Sequence, residues 1–215
     1  MSTSTMRRLR RRSSLVTALV RSLGYMLISM AAVVILYIIY SLLFTGLTTR
    51  QAQSTLRMAW ESPGSDGQLP SEAVARLEFQ RPGSPERPVQ EGPLFVVEGI
   101  GVEDLKKGPG HYTGTALPGQ PGNFAVAGHR TTYGNPFFDL DDLKPDDEVL
   151  VTDRQGEEFV YSVVRQEIVS PDAERVLEPD PLGTGRPTLT LTSCHPRFSN
   201  AQRLIVFAEL ETAVT

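Results

Sequence analysis

The chain has 215 residues, 40% of them apolar and 21% charged, a balance that fits one globular domain of roughly 120–150 residues beside less compact segments. Residues 1–21 hold six arginines (Arg7, Arg8, Arg10, Arg11, Arg12, Arg21) and no acid, which leaves 15 basic against 25 acidic residues, net −10, for the remainder. That charge argues against nucleic-acid binding by the folded part, and the single cysteine excludes an internal disulfide.

No charged residue lies between Arg21 and Arg50. Inside that gap Gly24 to Phe44 is apolar, and its 21 residues at helical rise span about 30 Å, the thickness of a hydrocarbon core. The predicted organisation is a basic tail over 1–22 and a transmembrane helix over 23–46. The arginines place the N-terminus in the cytoplasm and the C-terminal part outside, with one pass of the cell membrane. The rival reading is a cleaved signal peptide, whose apolar region runs only about 7–15 residues before a small-residue cleavage site. Thr45-Gly46-Leu47-Thr48-Thr49 gives no clear site of that kind.

Residues 47–93 read as an extracytoplasmic stalk. The stretch begins as a short continuation of the helix and becomes rich in Pro, Gly and Ser from Glu61 to Pro93. Within it, Ser71–Gln80 reads as a short helix capped by Ser71. The catalytic-sized domain is expected over 94–215. Its strand-like runs are Leu94–Ile100, Asn123–Ala127, Glu148–Thr152, Glu158–Val169, Thr188–Cys194 and Leu204–Leu210, divided by Gly, Pro and Asp. Short strands with such punctuation predict an all-β barrel or sandwich.

Cys194 ends the alternating run Thr188-Leu189-Thr190-Leu191-Thr192-Ser193. A free thiol outside the cytoplasm is a liability unless it is used, so Cys194 is a candidate nucleophile. Of the three histidines, His195 follows Cys194 directly, and neighbours on a strand point to opposite faces. His111 sits in the turn-rich Gly108-Pro109-Gly110-His111-Tyr112. His129 closes Phe124-Ala125-Val126-Ala127-Gly128 on a predicted loop rim and is the better partner for Cys194. Taken singly, each histidine is more often a surface or satisfied core residue. Arg203 precedes the apolar Leu204–Ala208, and a hairpin brings it beside Cys194. There it is either a solvated strand end or a fixed cation for a developing oxyanion. The acidic stretch Asp139, Asp141, Asp142, Asp146, Asp147, Glu148 reads as a solvated loop, with calcium as the alternative. One Cys and three scattered His lack the paired spacing of a zinc site, so no metal is expected.

At these residues the chain resembles a known family. Thr190-Leu191-Thr192-Ser193-Cys194 followed by Arg203 resembles the TLxTC…R signature of sortases, and Pro121–Arg130 matches their histidine-bearing stretch. Leu189–Pro196 and Lys107–Tyr112 are similar to motifs of the class E sortases; Ser193 stands where many relatives carry Thr. The resemblance covers about residues 94–212. It implies a sortase-type closed β-barrel of about eight strands with short helices, preceded here by one transmembrane helix. It also implies a cysteine transpeptidase without a cofactor. Its substrates are secreted proteins bearing an LAxTG- or LPxTG-like sorting signal, cut between Thr and Gly. Its acceptor is an amine of a peptidoglycan precursor, reached through a thioester.

Carried over by motif, Cys194 is the nucleophile and His129 the general acid and base. Arg203 orients the substrate and stabilises the oxyanion, while Tyr112 and Thr192 contact the sorting signal. A barrel with a decayed catalytic set, used for binding, and a hydrolase that resolves the thioester with water are the alternatives. Cys194, His129 and Arg203 occurring together argue against the first. No hydrophobic segment follows Leu210, which favours wall anchoring over pilus polymerisation.

Overall fold

The structure, a computed structural model, describes residues 3–62 and 72–214. It divides into two compact units, residues 1–43 and 44–215. The described residues of the first lie within the helix α1, Thr3–Glu61. Its Thr17–Tyr40 stretch is 24 residues long with a mean hydropathy of 2.3, and none of it is buried. That is long and apolar enough to cross a membrane, and side chains such as Met26, Ile28 and Leu36 stand exposed on it.

The second unit holds the end of α1 and a closed barrel. Its eight strands are β1 (Ala73–Gln80), β2 (Leu94–Glu98), β3 (Gly110–His111), β4 (Asn123–Ala127), β5 (Glu148–Asp153), β6 (Glu158–Val169), β7 (Thr188–His195) and β8 (Gln202–Val214). They close in the order β1-β2-β3-β4-β7-β8-β6-β5. The β2–β3 and β4–β7 pairs are parallel and the others antiparallel. A short helix α2, Val102–Leu105, lies between β2 and β3.

Period-2 alternation aims one row of each strand inward. Leu77 and Phe79, Phe124 and Val126, Leu189 and Leu191, and Leu204 and Val206 meet in one buried cluster with Val149, Val151 and Tyr161. Truncating Leu191 to Ala there would cost on the order of 2–5 kcal/mol. Two smaller clusters cover outer faces. The end of α1 lays Leu56 and Trp60 on Ala73, Phe95 and Val97, with the Trp60 and Phe95 rings 5.7 Å apart. The β6–β7 connection lays Val176 and Leu177 on Ile205 and Phe207.

One expectation is corrected. Ser71–Gln80 is not a helix: Ala73–Gln80 is a barrel strand, hydrogen-bonded to both β2 and β5. Ala75, Leu77 and Phe79 are fully buried while Arg76 and Glu78 form an ion pair at 3.1 Å outside, a strand period that overrides helix propensity. The barrel therefore begins at Ala73 rather than Leu94. The helix does continue past the apolar stretch, as expected, and runs to Glu61. Thr49, Gln53, Leu56 and Trp60 recur at helical spacing on one face. Gln53 donates from Nε2 to the carbonyls of Phe95 (2.9 Å) and Lys107 (3.0 Å), and its Oε1 accepts from Phe95 N–H (2.9 Å). Residues 63–71 of the expected stalk, including Ser71, lie outside the described residues.

Candidate active site

Three neighbouring strands, β4, β7 and β8, carry the site on the outer face of the barrel. On β7, Leu189 and Leu191 face the core, so Thr190, Thr192 and Cys194 share the outer face. On β8, Leu204 and Val206 face in and Arg203, Ile205 and Phe207 face out. The antiparallel register pairs Cys194 directly with Arg203, so the two side chains stand side by side on one face, with Cβ atoms about 5 Å apart in such pairs. On the other flank, β4 runs parallel to β7 with Ala127 opposite Thr192. Gly128 N–H extends the ladder to Thr192 O at 3.0 Å. His129 lies two residues beyond Ala127, as Cys194 lies two beyond Thr192. The register thus puts His129 and Arg203 on opposite sides of Cys194 at one end of the barrel.

The local chemistry fixes these positions. The Ser193 hydroxyl, which faces away from the site, donates to Gly128 O at 2.8 Å and is buried, tying the strand before Cys194 to the residue before His129. Gly128 is needed because a Cβ there would lie 2.4 Å from the Phe137 ring. Cys194 is free and half-buried. Arg203 is half-buried, and its Nη1 donates to the carbonyls of Asn200 (3.0 Å) and Gln202 (2.9 Å). Among the described residues no carboxylate pairs with it, so its charge is free to act on an oxyanion. His129 is half-buried, and burial lowers its pKa below the ordinary imidazole value. Its ring stacks on Tyr133 with centroids 4.9 Å apart.

Tyr112 and Thr192 meet on the same face, with their hydroxyls 3.0 Å apart. Both line a cavity of about 300 Å³ together with Arg203, Ile205, Ile100 and Val176. The β6–β7 connection, Ser170 to Leu177, forms its far wall. The arrangement is an apolar-floored groove lined at one end by Thr192 and Arg203, and Arg203 is the register partner of Cys194.

The other histidines have different surroundings. His111 is buried, with Nδ1 2.8 Å from Glu98 Oε2 and Nε2 3.0 Å from Thr115 Oγ1, and it braces β3 against β2. His195 pairs in register with Gln202 and lies on the face opposite Cys194, with its Nδ1 buried and, among the described residues, lacking a hydrogen-bond partner. The acidic stretch is a salt-bridge network. Asp139 and Asp141 meet Arg197 at 3.1 and 2.9 Å, Asp141 meets Arg130 at 2.6 Å, and Asp147 meets Arg81 at 2.8 Å. Among the described residues no group of three or more His, Cys, Asp or Glu is placed to hold a metal ion.

The pattern of residues did not announce two features of the site. Tyr133 reaches His129 through a turn at Tyr-Gly-Asn; those residues signal a turn but not where the ring lands. Arg197, on the segment after Cys194, reaches across to the segment after His129, where its guanidinium lies 4.4 Å over the Phe138 ring.

Residues 89–211 match the Sortase domain family model. The chain is 32% identical over 211 residues to Sortase SrtE1 of Streptomyces coelicolor, covering 88% of this chain and only 56% of that protein's length. Sortase SrtE2 of the same organism is 27% identical, with 94% of this chain and 85% of the relative covered. Among solved structures, sortase E from Streptomyces avermitilis is 39% identical with a TM-score of 0.57, over 67% of this chain and 91% of that one. Sortase E1 from Streptomyces coelicolor, solved with a tripeptide in its active site, is 32% identical with a TM-score of 0.57, over 68% and 92%. The closed eight-stranded barrel and the match over 89–211 agree: the chain belongs to the sortase family.

Proposed function

We propose that the chain is a membrane-anchored cysteine transpeptidase of class E character, with Cys194, His129 and Arg203 as its catalytic set. The observation that carries this reading is the strand register, which sets Arg203 directly opposite Cys194 on one face and brings the β4 end bearing His129 alongside. The Cys194 thiolate attacks the Thr carbonyl of an LAxTG- or LPxTG-like sorting signal. Arg203 N–H groups receive the developing oxyanion. As the Thr–Gly bond breaks, the His129 imidazolium gives its proton to the leaving glycine amine, leaving a Cys194 thioester and a neutral imidazole. An amine of a peptidoglycan precursor then attacks the thioester, His129 takes its proton, and the thiolate returns. Tyr112 and Thr192, lining the groove beside Arg203, are the proposed contacts to the signal, and the exchange needs no cofactor.

The arginine-rich segment before the apolar stretch supports an N-terminus in the cytoplasm and a catalytic domain outside. Residues 1–22 would then be the tail and 23–46 the span. Anchoring holds the enzyme where tail-bearing substrates and wall precursors are presented, which raises their effective concentration. The test is a fluorogenic LAxTG or LPxTG peptide mixed with the full chain in detergent micelles, with and without a triglycine or diaminopimelate amine. Cleavage between Thr and Gly with an amine-linked product is expected, and both are lost in Arg203→Ala and His129→Ala. Cleavage with water as the only acceptor at high amine concentration would replace this reading with hydrolysis.

A further inference from the structure

The turn that follows His129 is built at a cost. Tyr133, Gly134 and Asn135 are successive left-handed residues, with φ of +50°, +72° and +43°. A bulky aromatic in that region is strained, and strain of this kind persists only where its surroundings over-determine it. Here the surroundings are visible on both sides. On one side the Tyr133 ring lies against the His129 ring, tilted by 36°, and the loop is tied back to His129 itself by Phe137 N–H donating to His129 O at 3.2 Å. On the other side Gly134 touches the barrel-packed end of α1. A Cβ on Gly134 would lie 3.1 Å from Thr49 Cγ2, a tight contact at a position whose left-handed backbone already favours glycine. Thr49 is 4% exposed, and its hydroxyl donates to Lys106 O at 2.7 Å, which fixes the methyl that Gly134 meets. Beside this contact the helix and the loop enclose about 340 Å³ of open space lined by Arg50, Gln53 and Pro136 among others. The two segments therefore meet closely at Thr49 rather than along a packed face.

We propose that Tyr133 is a positioning residue for His129, and that Thr49 at the end of α1 holds Tyr133 in place through Gly134. The inference rests on His129 being the proton donor and acceptor of the reaction. The contacts form one chain, from Thr49 to Gly134, along the backbone to Tyr133, and from its ring to the imidazole. The helix leading out of the apolar segment thereby becomes part of what aims the catalytic histidine.

The test uses the full chain in detergent micelles with histidine labelled by isotope. The three histidines are assigned by substitution, and the mobility of the His129 ring is read by NMR relaxation beside peptide turnover. Tyr133→Ala is expected to loosen the ring and lower kcat on the order of 10- to 100-fold with KM held within about twofold. Tyr133→Phe, which keeps the stacking face, restores both. Thr49→Ala is expected to loosen the ring and lower kcat by about threefold or more. A rigid His129 ring and parental kcat in Tyr133→Ala overturn the proposal. A Thr49→Ala protein like the parent in both readouts overturns the helix's share. If the parent cleaves neither peptide, the transpeptidase reading fails, while ring mobility still decides whether Tyr133 positions His129.

Discussion

Replacing Asp141 with Asn removes one negative charge from between two arginines and leaves the side chain's shape. Arg130, next to His129, has only 1% of its side chain exposed, and its Nη2 lies 2.6 Å from Asp141. Its Nε donates to Phe138 O, while among the described residues neither Nη1 nor Nη2 makes a well-directed hydrogen bond, so the Asp141 ion pair is the counter-charge that lets this guanidinium stay inside. Stranding one partner of a fully buried pair costs about 3–5 kcal/mol. Asp141 is itself 39% exposed, and solvent screens part of the interaction. About 2 kcal/mol is the figure for Asp141→Asn, which lowers Tm by roughly 4–8 °C for a domain of this size. The pH dependence checks the cause. Burial by itself would raise the Asp141 carboxyl, but Arg130 and Arg197 outweigh it and hold the group below its ordinary value. The carboxyl therefore binds a proton less readily folded than unfolded. Its stabilisation is fully present above the unfolded pKa of about 3.9 and is lost as pH falls through the lower folded value. Thermal unfolding of parent and variant from pH 7 to pH 3 should show a gap that is full at neutrality and narrows below about pH 4. A gap under about 1 °C at pH 7, or one that does not narrow in acid, would refute the reasoning.

Other outcomes follow from the same geometry. The His129 imidazole should titrate below about 6.5 by NMR, because burial disfavours its charged form; a midpoint at or above that value contradicts the placement. Gly128→Ala should cost about 1–3 kcal/mol through the clash with Phe137 and reduce kcat by displacing His129; unchanged Tm and kcat would contradict the packing described. Ser193→Ala leaves Gly128 O without its donor and should cost about 1 kcal/mol, read as a fall in the denaturation midpoint at constant m. Tyr112→Phe removes the hydroxyl contact to Thr192 and should raise KM for the peptide roughly fivefold with kcat retained; an effect confined to kcat would move Tyr112 out of substrate binding.

Much of the site was legible because strand periodicity carries it. Leu189 and Leu191 alternate with Thr190 and Thr192 in a run that reads as a strand ending at Cys194, and nine residues to Arg203 imply a hairpin, which the Cys194–Arg203 pairing bears out. The parallel approach of β4 to β7 was not legible, since the two are separated by β5 and β6 in the chain and only tertiary packing joins them. Gly110–His111 is two residues long, too short for any period to show. Ala73–Gln80 is different. Ala75, Leu77 and Phe79 alternate with Arg76, Glu78 and Gln80, a strand signal that a cap at Ser71 and good helix formers obscured. The packed end of α1 shows the converse: Leu56 and Trp60 sit on a helical stripe, but its acceptor is the outer face of β2, formed by residues nearly forty positions on.

The central claim is that Cys194 forms a thioester with the sorting signal while His129 and Arg203 serve it. Intact-mass analysis of the full chain, quenched in acid during turnover of an LAxTG peptide without added amine, tests it most directly. A mass increase equal to the peptide fragment ending in Thr is expected. It should map to the peptide containing Cys194, disappear on adding amine or hydroxylamine, and be absent in Cys194→Ala. Peptide cleavage that proceeds in Cys194→Ala, or an adduct on any other residue, would contradict it.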